Sequence, residues 1–441
     1  MTLPMDWDTL IHNGTIVTVN PDFDVIENGF VAVKSGRIVD IGALAPDVDR
    51  PAAGECVDAE GGIVFPGFVN TLTHLPMTVV RGLADDLPLM TWLEDYIFPA
   101  EGRHIRPETV KQATLLACAE MILSGTTTCC DGYFHEDVVA EAVDAAGIRA
   151  VLGHGVIDYP APGVADPSEN VAHAVAYAEK WRDRSPLITP SIFCHSPYTC
   201  SPGTLQRAKK AAGDLIFQIH AAETRPERQR IQKEQGRSPI AYLDRLGVLD
   251  ERTLVVHAVW TDTDDLALLN RRRAGASHCP LSNMKLASGI APAVGMLRAG
   301  IPVGLGTDGC ASSNTLDMFR AMDMAAKLHK VAASDPTVMD ARTILEMATM
   351  GGAEALGLSD RIGSLEKGKS ADIVILDTGS PHLQPVHRPE SHLVYSAGGA
   401  DVRDVMAAGR WVLRDRRLKT LHWPAIRDAV DGIAASISTN G

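Results

Sequence analysis

The sequence predicts an α/β fold, a (β/α)8 barrel in the middle of the chain attached to a small β-sandwich built from both ends. Three observations predict it. Short apolar runs alternate with longer helical patterns through the centre, β-rich segments occur at the two flanks, and polar residues fall repeatedly at the C-terminal ends of the central runs. The 441 residues suit a barrel of about 250 to 300 residues plus a smaller second module. The expected division is 1–64 and 365–441 for the composite sandwich and 65–364 for the barrel.

Taken in order, the first sixty residues read as strands, "TLIHNGTIVTV" and then "FVAVKSGRIVDIGA", in which Ser35-Gly36 has the composition of a hairpin turn. Similar material returns near the other end as "ADIVILDT" and "VRDVMAAGRWVLRDRRLKT", turning at Ala408-Gly409. Between them come "GIVFPGFVN", "IRAVLGHG", "PLITPSIFCH", "LIFQIHAAE", "TLVVHAV", "GASHCP" and "IPVGLGTDG", separated by helical patterns such as "PETVKQATLLACAEMILSG". Strands alternating with helices imply parallel βαβ units, and so many of them suit a closed barrel. An open doubly wound sheet would need a glycine-rich phosphate loop after an early strand; the nearest match, "GLGTDG", comes late and has the wrong spacing. After Pro424, Ile426, Val430, Ile433 and Ile437 recur at helical spacing and predict a packed terminal helix.

The formal net charge of -14 opposes a nucleic-acid or anionic-membrane surface. The N-terminus lacks a basic segment followed by an apolar one, and no stretch approaches a membrane span, so a cytoplasmic location is expected. The eight cysteines include no C-x-x-C pair and read as buried thiols, not as a zinc ribbon or a disulfide framework.

The residues able to do chemistry are those that end the apolar runs. His74 follows "GFVNTLT", His195 "SIFC", His220 "LIFQI", His257 "TLVV" and Asp308 "VGLGT". One histidine at a strand end is more often a hydrogen-bonded core residue than a ligand. Four of them and an aspartate at one barrel mouth make a first-row metal site the better reading.

An ordered series of motifs runs nearly end to end: "LIHNGTIVTV", "LPMTVVRGLADDLPLMTWLEDYIFPAE", "HSPYTCS", "IHAAET", "HCPLSNMKLASGIAP", "LGTDGCASSN" and "GSLEKGKSADIVILD". In these the chain resembles the amidohydrolase superfamily, in the aminohydrolase branch that contains methylthioadenosine/S-adenosylhomocysteine deaminases and triazine hydrolases. The resemblance implies a distorted TIM barrel with a composite sandwich. It implies one divalent metal, zinc before Fe2+, held by His74, His220 and Asp308 and by a first histidine of an H-x-H pair at position 72. That position is Leu72, which has no lone pair to give.

The same resemblance implies hydrolytic deamination of an adenine-type nucleoside (5'-methylthioadenosine, S-adenosylhomocysteine or adenosine), with hydroxide on the metal attacking C6 and ammonia leaving. It makes Glu223 the proton shuttle to a ring nitrogen, His257 the group that polarises the hydroxide or the departing amine, and Asp308 the proton acceptor. Glu94 would hold ribose hydroxyls, Arg149 and His195 would face the nucleoside's substituent, and Ser312 a base edge. Trp92 and Met77 are expected to pack, and His278 to sit behind the site or in the core. Two alternatives stand: an amino- or chlorohydrolase of a triazine or pyrimidine, and a metal-deficient nucleoside-binding homologue created by Leu72. A homodimer or homotetramer is expected, with "RGLADDLPLMTWLEDYIFPAE" at the interface.

Overall fold

The computed structural model describes residues 7–44, 53–88 and 91–438. Parts of the expected sandwich (1–6, 45–52 and 439–441) and of the expected interface stretch (89–90) lie outside the described residues.

The N-terminal flank forms β1 (Trp7–Val17), β2 (Val25–Lys34), β3 (Arg37–Ala43), β4 (Ala53–Asp58) and β5 (Ile63–Pro66). Eight further strands, β6 (Phe68–Thr73), β7 (Thr126–Tyr133), β8 (Arg149–Val156), β9 (Ile188–Cys194), β10 (Ile216–Ala221), β11 (Thr253–His257), β12 (Gly275–His278) and β13 (Val303–Leu305), make the barrel. The C-terminal flank adds β14 (Ile373–Leu376), β15 (Val402–Ala407), β16 (Arg410–Arg414) and β17 (Arg417–Leu418).

The two flanks join into one nine-stranded sheet in the order β17-β16-β15-β14-β5-β1-β2-β3, with β4 beside β1. Lys34 pairs with Arg37 across Ser35 and Gly36, whose φ values of 50° and 74° are both left-handed. Ala407 pairs with Arg410 across Ala408 and Gly409 in the same way. Both are two-residue turns whose twist matches that of the strands. The turns also abut, because a Cβ on Gly409 would stand 2.2 Å from the Cα of Gly36. Ile11, Val33 and Ile38 from one flank share an apolar cluster with Ile373, Ile375 and Met406 from the other. Neither flank buries its apolar face without its partner.

Strands β6 to β13 are neighbours in chain order, and every pair between them is parallel. The ring closes where the Asp308 amide donates to the Leu72 carbonyl at 2.9 Å. Asn70 reinforces the seam, accepting from the Thr307 amide at 3.0 Å and donating to its hydroxyl at 2.8 Å. Val69, Leu72, Cys130, Val151, Leu254 and Val256 fill the interior, so the barrel is a packed core with its working face at the strands' C-terminal ends. Outside it, the helix Pro107–Leu123 buries Val110, Ala113, Ala117 and Met121. The predicted C-terminal helix runs over Trp423–Ser438 and packs on that helix, with Ile426 and Ile437 buried. All eight cysteines are free and all but Cys56 are buried.

Candidate active site

A cavity of about 780 Å³ opens at the C-terminal ends of the barrel strands. His74, His195, His220, His257, Glu223, Asp308 and Ser312 all line it, and Glu94 stands exposed at its rim. Met77 and Trp92 are buried and form part of its wall.

His74, Asp308 and His257 are held from behind. His74 ends β6, and its Nδ1 lies 2.7 Å from the Gly132 carbonyl. A carbonyl can only accept, so the proton is on Nδ1 and Nε2 is a free donor atom facing the cavity. Gly132 is required there, since a Cβ would stand 2.4 Å from the Phe193 ring. Asp131 braces both neighbours of His74, its Oδ1 accepting from the Thr73 hydroxyl and from the Leu75 amide, each at 2.7 Å. Asp308 accepts from the Ser282 hydroxyl at 2.6 Å and from the Gly309 amide at 2.7 Å. Asn283 contacts His257 Nδ1 at 3.1 Å and leaves Nε2 toward the site, where it stands 3.9 Å from Glu223. His257 and Asp308 carry left-handed backbone, φ 72° and 65°, at a cost of roughly 1–3 kcal/mol each. Such strain at strand ends aims side chains inward.

The protonation states follow from burial. His220 is held well below the ordinary imidazole range by burial and then by the neighbouring imidazoles, while burial brings His195 and His257 down to about 4. All three are neutral near pH 7. Burial alone would raise Asp308, but His74 and His257 beside it and its two hydrogen bonds bring it below its ordinary value. Glu223 goes the other way, to about 8, through burial and then the charge of Asp308. One carboxylate stays ionised and the other keeps its proton, the division acid–base catalysis requires.

Three of the four expected metal positions come together. His74 Nε2 and Asp308 Oδ1 are 3.4 Å apart and, with the ring proton on Nδ1, share no hydrogen bond. Two donors about 2.0–2.1 Å from one tetrahedral ion stand roughly 3.3–3.4 Å apart, so the spacing suits a shared ion. His220 Nε2 is buried without a hydrogen-bond partner, and its ring lies 5.3 Å from that of His74 and 5.2 Å from that of His257. The His74–Asp308 spacing and the unpartnered His220 nitrogen suit a divalent ion. Leu72, completely buried, contributes nothing, and among the described residues no three His, Cys, Asp or Glu side chains stand close enough together to hold an ion as they are placed.

Arg149 is a correction. Expected at the substrate, it begins β8 at the opposite end of the barrel, seven residues before Val156, or about 23 Å at the usual strand rise. Its guanidinium donates to Ser370 Oγ at 2.9 Å and to Asp372 Oδ2 at 3.2 Å, latching the barrel floor to the terminal sheet. His278 is buried and pairs with His329, Nε2 to Nε2, at 2.9 Å, a core contact.

Two cavity residues were not anticipated. Glu101, on the helix Phe98–His104, is buried, accepts from the Tyr133 hydroxyl and is raised by burial to about 7. Glu94 lies in the π-helical turn Trp92–Ile97 just before that helix, and no spacing in the sequence singled out Glu101. Glu227 accepts from the Ala222 and Glu223 amides, both at 2.8 Å, and so fixes the loop that carries Glu223. Thr224 caps the helix Arg225–Gln235, and the pattern "TRPE" is the capping-box signature that could have located Glu227.

Residues 63–412 match the model of the Amidohydrolase family. The 5-methylthioadenosine/S-adenosylhomocysteine deaminase of Syntrophobacter fumaroxidans is 45% identical over 98% of this chain and 98% of its own length. The 5'-deoxyadenosine deaminase of Methanosarcina mazei is 42% identical over 94% of each. Among solved structures, an adenosine deaminase from Xanthomonas campestris with bound zinc superposes with a TM-score of 0.96 at 40% identity, covering 99% of this chain and 100% of that one. The zinc complex of the atrazine chlorohydrolase TrzN from Arthrobacter aurescens gives 0.90 at 21% identity over 97% and 100%, a likeness of fold alone.

Proposed function

This chain belongs to the amidohydrolase family, and within it we propose a metal-dependent hydrolytic deaminase of adenine-type nucleosides. It is a hydrolase acting on a C–N bond. The observation that carries the substrate reading is one cavity holding two differently protonated carboxyl groups, Glu223 and Asp308, among neutral imidazoles, in a chain 40–45% identical to nucleoside deaminases.

His74, His220 and Asp308 would hold the ion, zinc before Fe2+. A bound divalent ion supplies a nucleophile at neutral pH by lowering the pKa of water from about 16 to roughly 7. The remaining work is done by side chains. Asp308 takes a proton from the attacking water, because it is the carboxylate kept ionised. Glu223 delivers its proton to the ring nitrogen beside C6, so that negative charge does not build up on the ring as the C6–O bond forms. His257 steadies the oxygen through Nε2, Asp308 passes the proton it took to the amino nitrogen, which leaves as ammonia, and the remaining hydroxyl proton returns to Glu223 as the C6=O bond forms. Glu101 takes the role first expected of Glu94: its carboxylate inside the cavity accepts from ribose hydroxyls. His195 and Ser312 bound the ligand on the remaining sides.

The direct test follows conversion of adenine nucleosides to their inosine counterparts by ultraviolet absorbance and released ammonia, on protein loaded with zinc. Methylthioadenosine, 5'-deoxyadenosine, S-adenosylhomocysteine and adenosine are the substrates. Turnover of none of them rejects the reading. A homodimer or homotetramer also belongs to this proposal. Leu83, Tyr96 and Phe98, exposed within the expected interface stretch, support it, and light scattering measures it.

A further inference from the structure

The donor set at the barrel mouth has three members, and the residue that follows them inward is a hydrocarbon. Leu72 stands two residues before His74 on β6 and gives its carbonyl to the Asp308 amide. Its backbone is therefore fixed beside two of the three donors. A Cβ built on Gly306 would lie 2.9 Å from the Leu72 Cβ, so the side chain is hemmed in on the β13 side as well. It belongs to the same buried cluster as Cys130, Val151, Cys279 and Val256, and Val256 is in register with His220. The apolar plug thus lies at the level of the donors and is closed to solvent.

Zinc in proteins is almost always four-coordinate, and a catalytic ion commonly has three protein donors and an open position. In this chain the supports of His74 and Asp308 are in place. Gly132 holds His74, and Ser282 and Gly309 hold Asp308. What is absent is the nitrogen of a second histidine two residues before His74, because a fully buried leucine stands there.

We propose that Leu72 makes this a three-donor site, open only toward the substrate cavity, which binds its divalent ion reversibly and loses it to competing ligands instead of retaining it as a permanent cofactor. The inference rests on the metal-dependent reading above, and it goes further. It makes activity a function of free metal concentration, and it identifies Leu72 as the determinant. Since changes behind a ligand already cost about 10- to 100-fold in metal affinity, an absent ligand costs at least the upper end of that range.

The experiment measures Co2+ and Zn2+ dissociation constants by competition with a chromophoric chelator, on the full chain and on Leu72→His, together with the visible spectrum of the Co2+ forms. The expected result is one ion per chain in both, bound at least about 100-fold more tightly by the variant, with a changed Co2+ spectrum. Dialysis against chelator should strip the unsubstituted chain and spare the variant. Equal constants, or an unsubstituted chain that keeps its ion through dialysis, would overturn the proposal. Should Leu72→His fail to fold, His220→Ala in the unsubstituted chain decides: with three donors its loss should abolish binding at micromolar metal, and unchanged affinity rejects the site. Deamination is scored separately. Inactivity of both metal-loaded forms would reject the deaminase reading and leave the binding result standing, whereas equal affinities with turnover would do the reverse.

Discussion

Arg149 separates two accounts of one residue, and replacing it with methionine distinguishes them. Its side chain and that of Asp372 are each 4% exposed. Asp372 is tied on both sides, Oδ2 to Arg149 at 3.2 Å and Oδ1 to the Ala408 amide at 2.8 Å. Arg149→Met fills similar volume but leaves that carboxylate buried without its cation. Breaking a buried pair from one side costs about 3–5 kcal/mol. With unfolding entropy of about 2.1 cal/mol/K per residue, a cooperative 441-residue chain should lose roughly 3–5 °C in Tm. Calorimetry in saturating zinc measures this. Adding Asp372→Asn, which keeps an acceptor for Ala408 and removes the stranded charge, should return much of the loss. Both kcat and KM for methylthioadenosine should stay within about twofold, because the latch is some 23 Å from the mouth at the usual strand rise. A tenfold rise in KM with an unchanged Tm would refute the latch and restore Arg149 to the substrate.

The other predictions concern the cavity. Glu223→Gln keeps the shape but removes the proton, so kcat should fall about 10²- to 10⁴-fold with little change in KM; a drop below tenfold would remove Glu223 from proton transfer. Glu101 is raised from 4.5 to about 7 by burial, so the folded chain binds this proton more tightly than the unfolded one. Its contribution to stability is therefore full below pH 4.5 and is lost as pH rises to about 7, on the order of 3 kcal/mol in all. Denaturation across that range should show the decline and Glu101→Gln should reduce it by about that amount, Glu223 supplying a further part, while nucleoside KM should improve as the carboxyl ionises through pH 7. The outer cavity wall, with Trp92, Leu93, Phe98, Phe134, Tyr159, Pro160 and Pro162, is largely apolar, and the two arginines that also line the cavity, Arg106 and Arg230, bond to the Gly102 carbonyl and to Glu234. The kcat/KM for 5'-methylthio or 5'-deoxy nucleosides should exceed that for the zwitterionic homocysteine conjugate by at least about tenfold, since poorly paired polar groups cost roughly 1–3 kcal/mol on burial. Equal values would show a cation serving the tail.

What could be read from the chain before folding was what is encoded locally. Alternating strands and helices, two-residue turns at Ser35-Gly36 and Ala408-Gly409, the helix after Pro424, and the histidines and aspartate that end apolar runs are all short-range patterns. Each arises because strand and helix periods and turn dihedrals are set by neighbouring residues. The C-terminal edge of a parallel barrel then brings strand-end residues together whatever loops intervene, which is why His74, His195, His220, His257 and Asp308 could be grouped in advance.

Questions of facing and depth belonged to the tertiary structure. Arg149 and His74 are both charged or chargeable residues on barrel strands, and only the direction of each strand sends one to the floor and the other to the mouth. Glu94 and Glu101 stand on successive helical segments, and it is packing against Tyr133 that puts the second inside while the first stays at the rim. Leu72 was legible as a missing donor. That its place is filled by packed hydrocarbon, closed even to water, depends on Gly306, Cys279 and Val256 arriving from strands some 180 to 230 residues away, a contact set by barrel closure and by no local pattern.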